Sequence, residues 1–547
     1  MESEITSDRL NASVSHDCHD SPRCANDDGQ NIGDQSSPYN RGTSEELNGI
    51  DVSKELKCKE TPFNGDVGFE IAVEAHPDLV FESDLVTFNS QQFPFVPPRV
   101  YLERESFSNE DLQNLSIQSP SESDTFFSTE EEEEEANTEA WKSQPKHIFI
   151  LSEAGKPIYT KYGNEEQFVT LFGVMQALVS VFEDGKDTLD TIVAGDSKFV
   201  FLHQRPLILV AVSKLKDSVE QLRTHLRYMY NQIVSVITAV QLERIFEQRQ
   251  NYDLRRLIAG SERLMDSLVK YMNEDFSVLL GGIRCLPMLP QDREAVTQTI
   301  VHQCIKIKNL LFALLIGNSQ IISMATIKKQ HLHPSDIHLI INLVNCSETF
   351  KTAEGWTPIC LPHYDPSTFL YVHASYLSDD CQACLLFFTS DRESFFSLSE
   401  AKRRVVERLR RHNLLESINS ALNYVVPVLN QIGVADIRHL LYKYKAISQF
   451  TSCSFYPPYH HEQGRAYLMD LYRHIHGRMH LPARNLKLIC HTTDKEILFG
   501  WETTTYELYV IFEPMATKRA VVNSALTILK WIKREEDAFF IVNPATW

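Results

Sequence analysis

The chain has 547 residues, 43% of them hydrophobic and 23% charged, with a formal net charge of −20 at neutral pH. That length accommodates three or four domains with sizeable cores. Positions 1–140 hold 32 acidic and 8 basic residues, net −24, which leaves the other 407 near neutral at +4 and without the one-sided basic excess that nucleic acid requires.

Residues 1–140 are rich in Ser, Asp, Glu and Asn, carry Ser-Pro pairs at Ser21, Ser37 and Ser119, and end in the run Glu130–Glu135. Such a composition cannot bury a core, so a disordered acidic tail is expected, interrupted by an aromatic stretch over 85–102. Order begins at Trp141. His147 to Leu151 and Ile158 to Tyr162 alternate around Glu153-Ala-Gly-Lys-Pro157, which reads as a hairpin. Asn164 offers a helix cap with Gln167 three positions on, and Phe168, Leu171, Phe172, Met175, Leu178, Val179 and Phe182 form one stripe that is expected to lie on a sheet.

Strands are then expected at Thr191 to Ala194, Lys198 to His203 and Pro206 to Ser213. A long helix follows, with Val219, Leu222, Leu226, Met229, Ile233, Ile237 and Val240 on one side. The order ββαβββα is that of a five-stranded antiparallel sheet with a helix on each face. An added helix is expected over Tyr252 to Tyr271 and a linker over Gly281 to Pro290. The same order can be traced twice more. One round runs from the strand near Asn309 to the helix Glu393 to Arg411, the other from Leu440 to a helix around Lys518 to Glu536. The expected fold class is α+β. The expected divisions are a tail (1–140) and three modules (141–285, 286–430 and 431–547).

Reactive motifs are scarce. The sequence has no Walker-type loop, dinucleotide fingerprint or serine elbow. Cys381 and Cys384 lack a second cysteine pair, and His331/His333, His460/His461 and His474/His476 lack spaced acidic or thiolate partners. Exposed polar histidines and no metal or cofactor are therefore expected. Eleven scattered cysteines and the acidic start Met1-Glu2-Ser3-Glu4 suggest the reducing cytosol. The longest apolar runs, such as Leu310 to Ile316, fall short of the roughly 20 residues that span a bilayer, so any membrane contact is expected to be peripheral.

The segment WKSQPKHIFILSEAGKPIYTKYG (Trp141 to Gly163) and the later QNYDLRRLIAGSERLMD (Gln250 to Asp266) closely resemble the Mon family of vacuolar fusion proteins. EGWTPICLPHYDP (Glu354 to Pro366), RHLLYK (Arg438 to Lys443) and LKWIKREEDAFFI (Leu529 to Ile541) extend the resemblance over about residues 141–547. It implies three longin domains. It also implies a heterodimer with a Ccz-type longin subunit and guanine nucleotide exchange on a late-endosomal Rab GTPase. Recruitment from the cytoplasm to endosomal membranes would be by an upstream early-endosomal Rab and phosphoinositide, with no covalent catalysis. The alternative is a non-catalytic longin adaptor or scaffold. A longin SNARE is disfavoured because no heptad segment and membrane anchor follow the first domain.

Under that resemblance the GTPase-binding candidates are Glu166, Gln167, Thr170, Gln176 and Lys198, on the first helix and beside it. Lys402, Arg403, Arg404, Arg408, Arg410 and Arg411 crowd one helix, with Arg403, Arg404, Arg408 and Arg410 the candidates for lipid headgroups. Phe126 and Phe127, among acidic residues and next to Ser128, resemble a motif that docks on endoplasmic-reticulum tethers. The acidic tail is expected to regulate access to the body.

Overall fold

A computed structural model describes residues 141–163, 168–328, 330–424, 432–434, 436–482 and 484–547. The tail, with its aromatic stretch and with Phe126, Phe127 and Ser128, lies outside them, as do Asn164, Glu166 and Gln167.

The first module follows the expected order. β1 (Lys146–Ser152) and β2 (Pro157–Thr160) form the hairpin, turning at Gly155, whose φ of +76° suits a residue without a Cβ. Next come α1 (Val169–Asp184), β3 (Thr191–Ala194), β4 (Ser197–Gln204), β5 (Leu207–Ser213) and α2 (Val219–Ile237). The sheet is antiparallel in the order β2-β1-β5-β4-β3. Strand alternation divides the apolar residues between its faces. Phe149 and Leu151 meet Phe172, Met175 and Val179 of α1, while Ile148 and Ile150 meet Leu222, Leu226 and Met229 of α2. A capping box of Ser218 and Gln221 starts α2. The helix does not run on through Val240 as its apolar spacing suggested. Thr238 breaks it at φ +75°, α3 (Ala239–Gln248) sets off in a new direction, and Val240 is left exposed. The added segment is a single turn at Arg255–Ile258 followed by α4 (Glu262–Glu274).

Gly281 to Pro290 is more than a linker. It carries β6 (Ile283–Arg284), which pairs in parallel with a strand of the third module. A helix that the pattern did not reveal, α5 (Pro290–Cys304), follows with Pro290 in its first turn and Val296, Ile300 and Cys304 buried. β7 (Leu310–Gly317), β8 (Gln320–Thr326), α6 (Pro334–Cys346), β9 (Gly355–Leu361), β10 (Asp365–Ser378), β11 (Cys381–Thr389), α7 (Phe395–Arg411) and α8 (Leu414–Asn423) complete the second module.

The third holds β12 (Ile437–Tyr444), β13 (Gln449–Ser452) and α9 (Glu462–Met479), then a ribbon of β14 (His480–Leu481) and β15 (Arg484–Asn485). β16 (Leu488–Thr492), β17 (Ile497–Glu502), β18 (Tyr506–Phe512) and α10 (Lys518–Arg534) follow. Finally β19 (Ala545–Thr546) returns to pair in parallel with β8 of the second sheet. Each of these two sheets thus gains a sixth strand from a distant part of the chain.

The modules share their packing. One continuous apolar core joins the inner face of the first sheet to Phe312, Leu314, Val372 and Leu386 of the second, with residues of α2, α4 and α6 between them. Polar groups lock that middle layer. The Tyr228 hydroxyl lies 2.7 Å from His338 Nδ1, and Asn342 donates to Gln232 at 3.0 Å. The far face of the second sheet packs on α5 and α7. The third sheet is covered by α10 on one face and α9 on the other.

Candidate functional site

α1 has the sequence VTLFGVMQALVSVFED, with no charged side chain before Glu183. A helix apolar all round needs cover on every side, and the sheet covers only one. Phe172, Met175 and Val179 are buried. On the outer side Val174 is 52% exposed, Leu178 40% and Val181 69%, with Val169 and Phe182 also open. The expectation that Leu178 and Phe182 belong to the buried stripe is therefore corrected, since they look outward. Val174, Leu178 and Val181 lie within about 60° of one another around the helix and together expose on the order of 250 Å² of apolar surface, a patch of the few hundred Å² that marks an interaction site. Close by, β3 ends the sheet with no strand on its outer side among the described residues.

The described GTPase-binding candidates do not converge on one spot. Thr170 is exposed in the first turn of α1. Gln176 is half-buried, donates to Ser180 Oγ at 2.9 Å and rests its stem against Gly155, so it sits at the β1–β2 turn. Lys198 stands level with Ser213 and Lys146, at the opposite end of β1 and about 20 Å away by strand rise. Its ammonium donates to the Asp217 carbonyl at 2.7 Å. Burial lowers its pKa against the pull of Asp217, and Lys216 lowers it further.

Beneath Lys198 lies a buried charge network that no spacing in the sequence announced. Asp217 pairs with Lys146 at 3.1 Å and, through its other oxygen, with Arg473 of α9 at 3.1 Å. Lys146 also approaches His225 Nδ1 at 2.6 Å and donates to Asn273 at 3.2 Å, while Arg473 donates to the Asn273 carbonyl at 2.7 Å and pairs with Asp470 at 2.8 Å. Burial pushes Lys146 down to about 8 despite Asp217. Burial works to raise Asp217, but the two cations outweigh it and hold the carboxyl well below its usual range. This network is the polar bolt between first and third modules.

On α7, Arg403, Arg404, Arg408 and Arg410 are all exposed. Glu400 is chelated by Arg403 at 2.7 Å and Arg404 at 2.9 Å, and Arg411 pairs with Glu407 at 2.5 Å. Arg408 and Arg410 carry no ion pair among the described residues. Lys402 turns inward to Glu354 at 3.4 Å. Phe396, 83% exposed, shares the face of Arg403 and Arg410 because the three are spaced by two helical turns.

Cys381 and Cys384 are buried on opposite faces of β11, one in each of the second module's apolar clusters, so they cannot share a ligand. His331, His333, His460 and His461 are exposed as expected, but His474 and His476 are not. Burial drives their pKa down to about 4 and about 3. His476 and His480, one turn apart, do approach Glu507 of β18, and the three offer ligand atoms within 4.8 Å of one another. Their atoms are already engaged: Glu507 accepts from Lys443 and Tyr509 at 3.0 Å each, and Gln221 donates to His476 at 3.1 Å. Among the described residues no helix is long and apolar enough to cross a membrane.

Comparison with known proteins fits this architecture. Residues 146–268, 308–407 and 436–536 match the first, second and third longin domains of FUZ, MON1 and HPS1. The chain is 42% identical over 416 residues to vacuolar fusion protein MON1 homolog A of Gallus gallus, covering 76% of this chain and 75% of that protein. It is 42% identical over 415 residues to Protein SAND of Takifugu rubripes, covering 76% and 79%. To MON1 homolog B of Mus musculus it is 38% identical over 426 residues, covering 74% and 76%. Three longin domains in this order, with such identity over three quarters of the length, mean that the chain belongs to the MON1 family of vacuolar fusion proteins.

Proposed function

We propose that this chain is one subunit of a heterodimeric guanine nucleotide exchange factor that activates a late-endosomal Rab GTPase in endosome conversion and fusion at the lysosome or vacuole. The observation that carries the reading is the uncovered apolar face of α1 beside the open edge of β3. A second module of the same kind, supplied by a Ccz-type longin subunit, fits that face, since it would bring its own sheet edge and apolar helix. Exchange needs no reactive group. Preferring the GTPase in its distorted, nucleotide-releasing form by about 4 kcal/mol speeds release a thousandfold.

In this reading Thr170 and Lys198, together with Glu166 and Gln167, border the GTPase surface, and Gln176 holds the neighbouring turn. The α7 face bearing Arg403, Arg404, Arg408 and Arg410 meets a phosphoinositide membrane to which an upstream early-endosomal Rab brings the complex. Docking on an endoplasmic-reticulum tether through Phe126 and Phe127 is a separate proposal on residues outside the described ones. The test is capture of the Rab by the assembled heterodimer. Strong capture of nucleotide-free Rab and weak capture of the GDP-bound form support exchange. Equal capture of both forms would leave an adaptor.

A further inference from the structure

α9 ends where two imidazoles and a carboxylate meet. His476 lies in its last turn and His480 caps it, a His-x-x-x-His spacing that puts both rings on one face. The rings stack, with centroids 4.2 Å apart and planes 10° from parallel. The neighbouring His474 points to another side, since positions two apart on a helix do not face each other and positions four apart do. Glu507 of β18 completes the set, and the three residues offer ligand atoms within 4.8 Å of one another.

Hydrogen bonds fix where the lone pairs are. A carbonyl only accepts, so His480 Nδ1, 3.2 Å from the His476 carbonyl, carries the proton and leaves Nε2 bare in the neutral ring. That nitrogen faces Glu507 Oε2 at 3.8 Å, too far for a hydrogen bond. Gln221 of α2 accepts from the Ser218 amide at 2.7 Å, which turns its NH₂ group toward the Arg473 carbonyl at 3.3 Å and His476 Nδ1 at 3.1 Å. His476 therefore has its lone pair on Nδ1, where a metal ion would displace the Gln221 amide. The bonds from Lys443 and Tyr509 take one lone pair of each Glu507 oxygen and leave the other.

A bare nitrogen facing a carboxylate oxygen calls for positive charge between them. A proton on Nε2 would close the pair to about 2.8 Å. Ligand atoms on a tetrahedral zinc ion stand about 3.4 Å apart when each bond is about 2.0–2.1 Å, so the observed 3.8 Å is only about 0.4 Å too wide. The C-terminal end of α9 adds the negative pole of its dipole. Two imidazoles and one carboxylate are also the set of three-ligand zinc sites, whereas magnesium and calcium take oxygen. Both histidines line a cavity of ≈ 90 Å³ together with Ser218, Glu220 and Thr224 from the start of α2, which gives the ion a way in and room for a water ligand.

We propose that His476, His480 and Glu507 bind a Zn²⁺ ion whose fourth position opens into this cavity, at the seam between the first and third modules. Lys443 beside Glu507 opposes the ion, so the dissociation constant is expected at about 1 μM, weaker than in closed four-ligand sites. The site does not depend on the exchange-factor reading.

The test uses the full-length chain stripped of metal with a chelator. Histidines are carbethoxylated with diethyl pyrocarbonate and quantified one by one by mass spectrometry, with and without zinc chloride. At about 10 μM free zinc His480 should react about tenfold more slowly, the protection expected at ten times the dissociation constant. Exposed His302 and His412 should react alike in both, and magnesium at the same concentration should protect none of them. In equilibrium dialysis His480→Asn should hold about one zinc fewer per chain than wild type. The protection measurement needs no variant, so it decides the matter even where His480→Asn fails to fold. Equal reactivity of His480 with and without zinc, the same slowing at His302 and His412, equal protection by magnesium, or an undiminished zinc content in folded His480→Asn would each overturn the proposal.

Discussion

The outer face of α1 offers the sharpest mutational test of the proposed assembly. Leu178 is 40% and Val181 69% exposed, which leaves roughly 80 and 110 Å² open, and covering that area is worth about 5 kcal/mol at 25 cal/mol per Å². Leu178→Asp with Val181→Asp forfeits this and obliges two carboxylates to shed water at the interface. The cost to the free chain is the poorer helix propensity at Leu178 and the loss of that side chain's covered part, together about 3 kcal/mol. Affinity for a Ccz-type subunit, measured by titration calorimetry, should weaken by at least a thousandfold. The circular dichroism melt should shift by no more than a few degrees. A folded double variant that still binds with wild-type affinity would refute the assignment of this face.

Three further outcomes follow from the geometry. Asp217→Asn leaves the Lys146 and Arg473 cations buried together and should cost about 3–5 kcal/mol. Hydrogen exchange should rise in β1 and α9, and adding Lys146→Met should recover part of the loss. His338 and His439 are fully buried, and burial holds them at about 4 and about 3. The unfolded chain, with histidines near 6.5, therefore binds more protons between pH 6.5 and 4, so stability falls as pH drops through that window. Each such histidine contributes about 2 kcal/mol of loss by pH 5, and a urea midpoint equal at pH 7 and pH 5 would contradict this. Changing Arg403, Arg404, Arg408 and Arg410 all to Glu should abolish flotation with phosphoinositide liposomes while lowering the melt by no more than a few degrees, from the lost pairs with Glu400 and Glu407. Undiminished flotation would remove α7 from the membrane contact.

Local chemistry made most of the fold readable. The hairpin turn at Gly155, the period-two strands and the capped stripe of α2 are each written in neighbouring residues. Structure that depends on distant partners was not legible. β6 and β19 are two-residue strands that exist only because another module presents an open edge. The Asp217 network joins residues 71 and 256 positions apart, and nothing near Lys146 hints at Arg473. The break at Thr238 occurs where no glycine signals a positive φ.

The α1 surface is a different case. Its signal is in the sequence, as a helix of fourteen residues without charge from Val169 to Phe182, but apolar spacing alone does not separate one buried stripe from two apolar faces. Helix position and the family resemblance point to Thr170, Gln176 and Lys198 without placing them in space. The structure spreads them over both ends of the sheet, because residues near in sequence need not be near in space.

In the proposed assembly a surface shaped by two longin subunits, without any reactive side chain, opens a Rab nucleotide site. Release of fluorescent GDP from a late-endosomal Rab measures this most directly. The assembled heterodimer should accelerate release about a thousandfold over the intrinsic rate, and neither subunit alone should do so. Release that stays at the intrinsic rate with the intact heterodimer would contradict the proposed exchange activity.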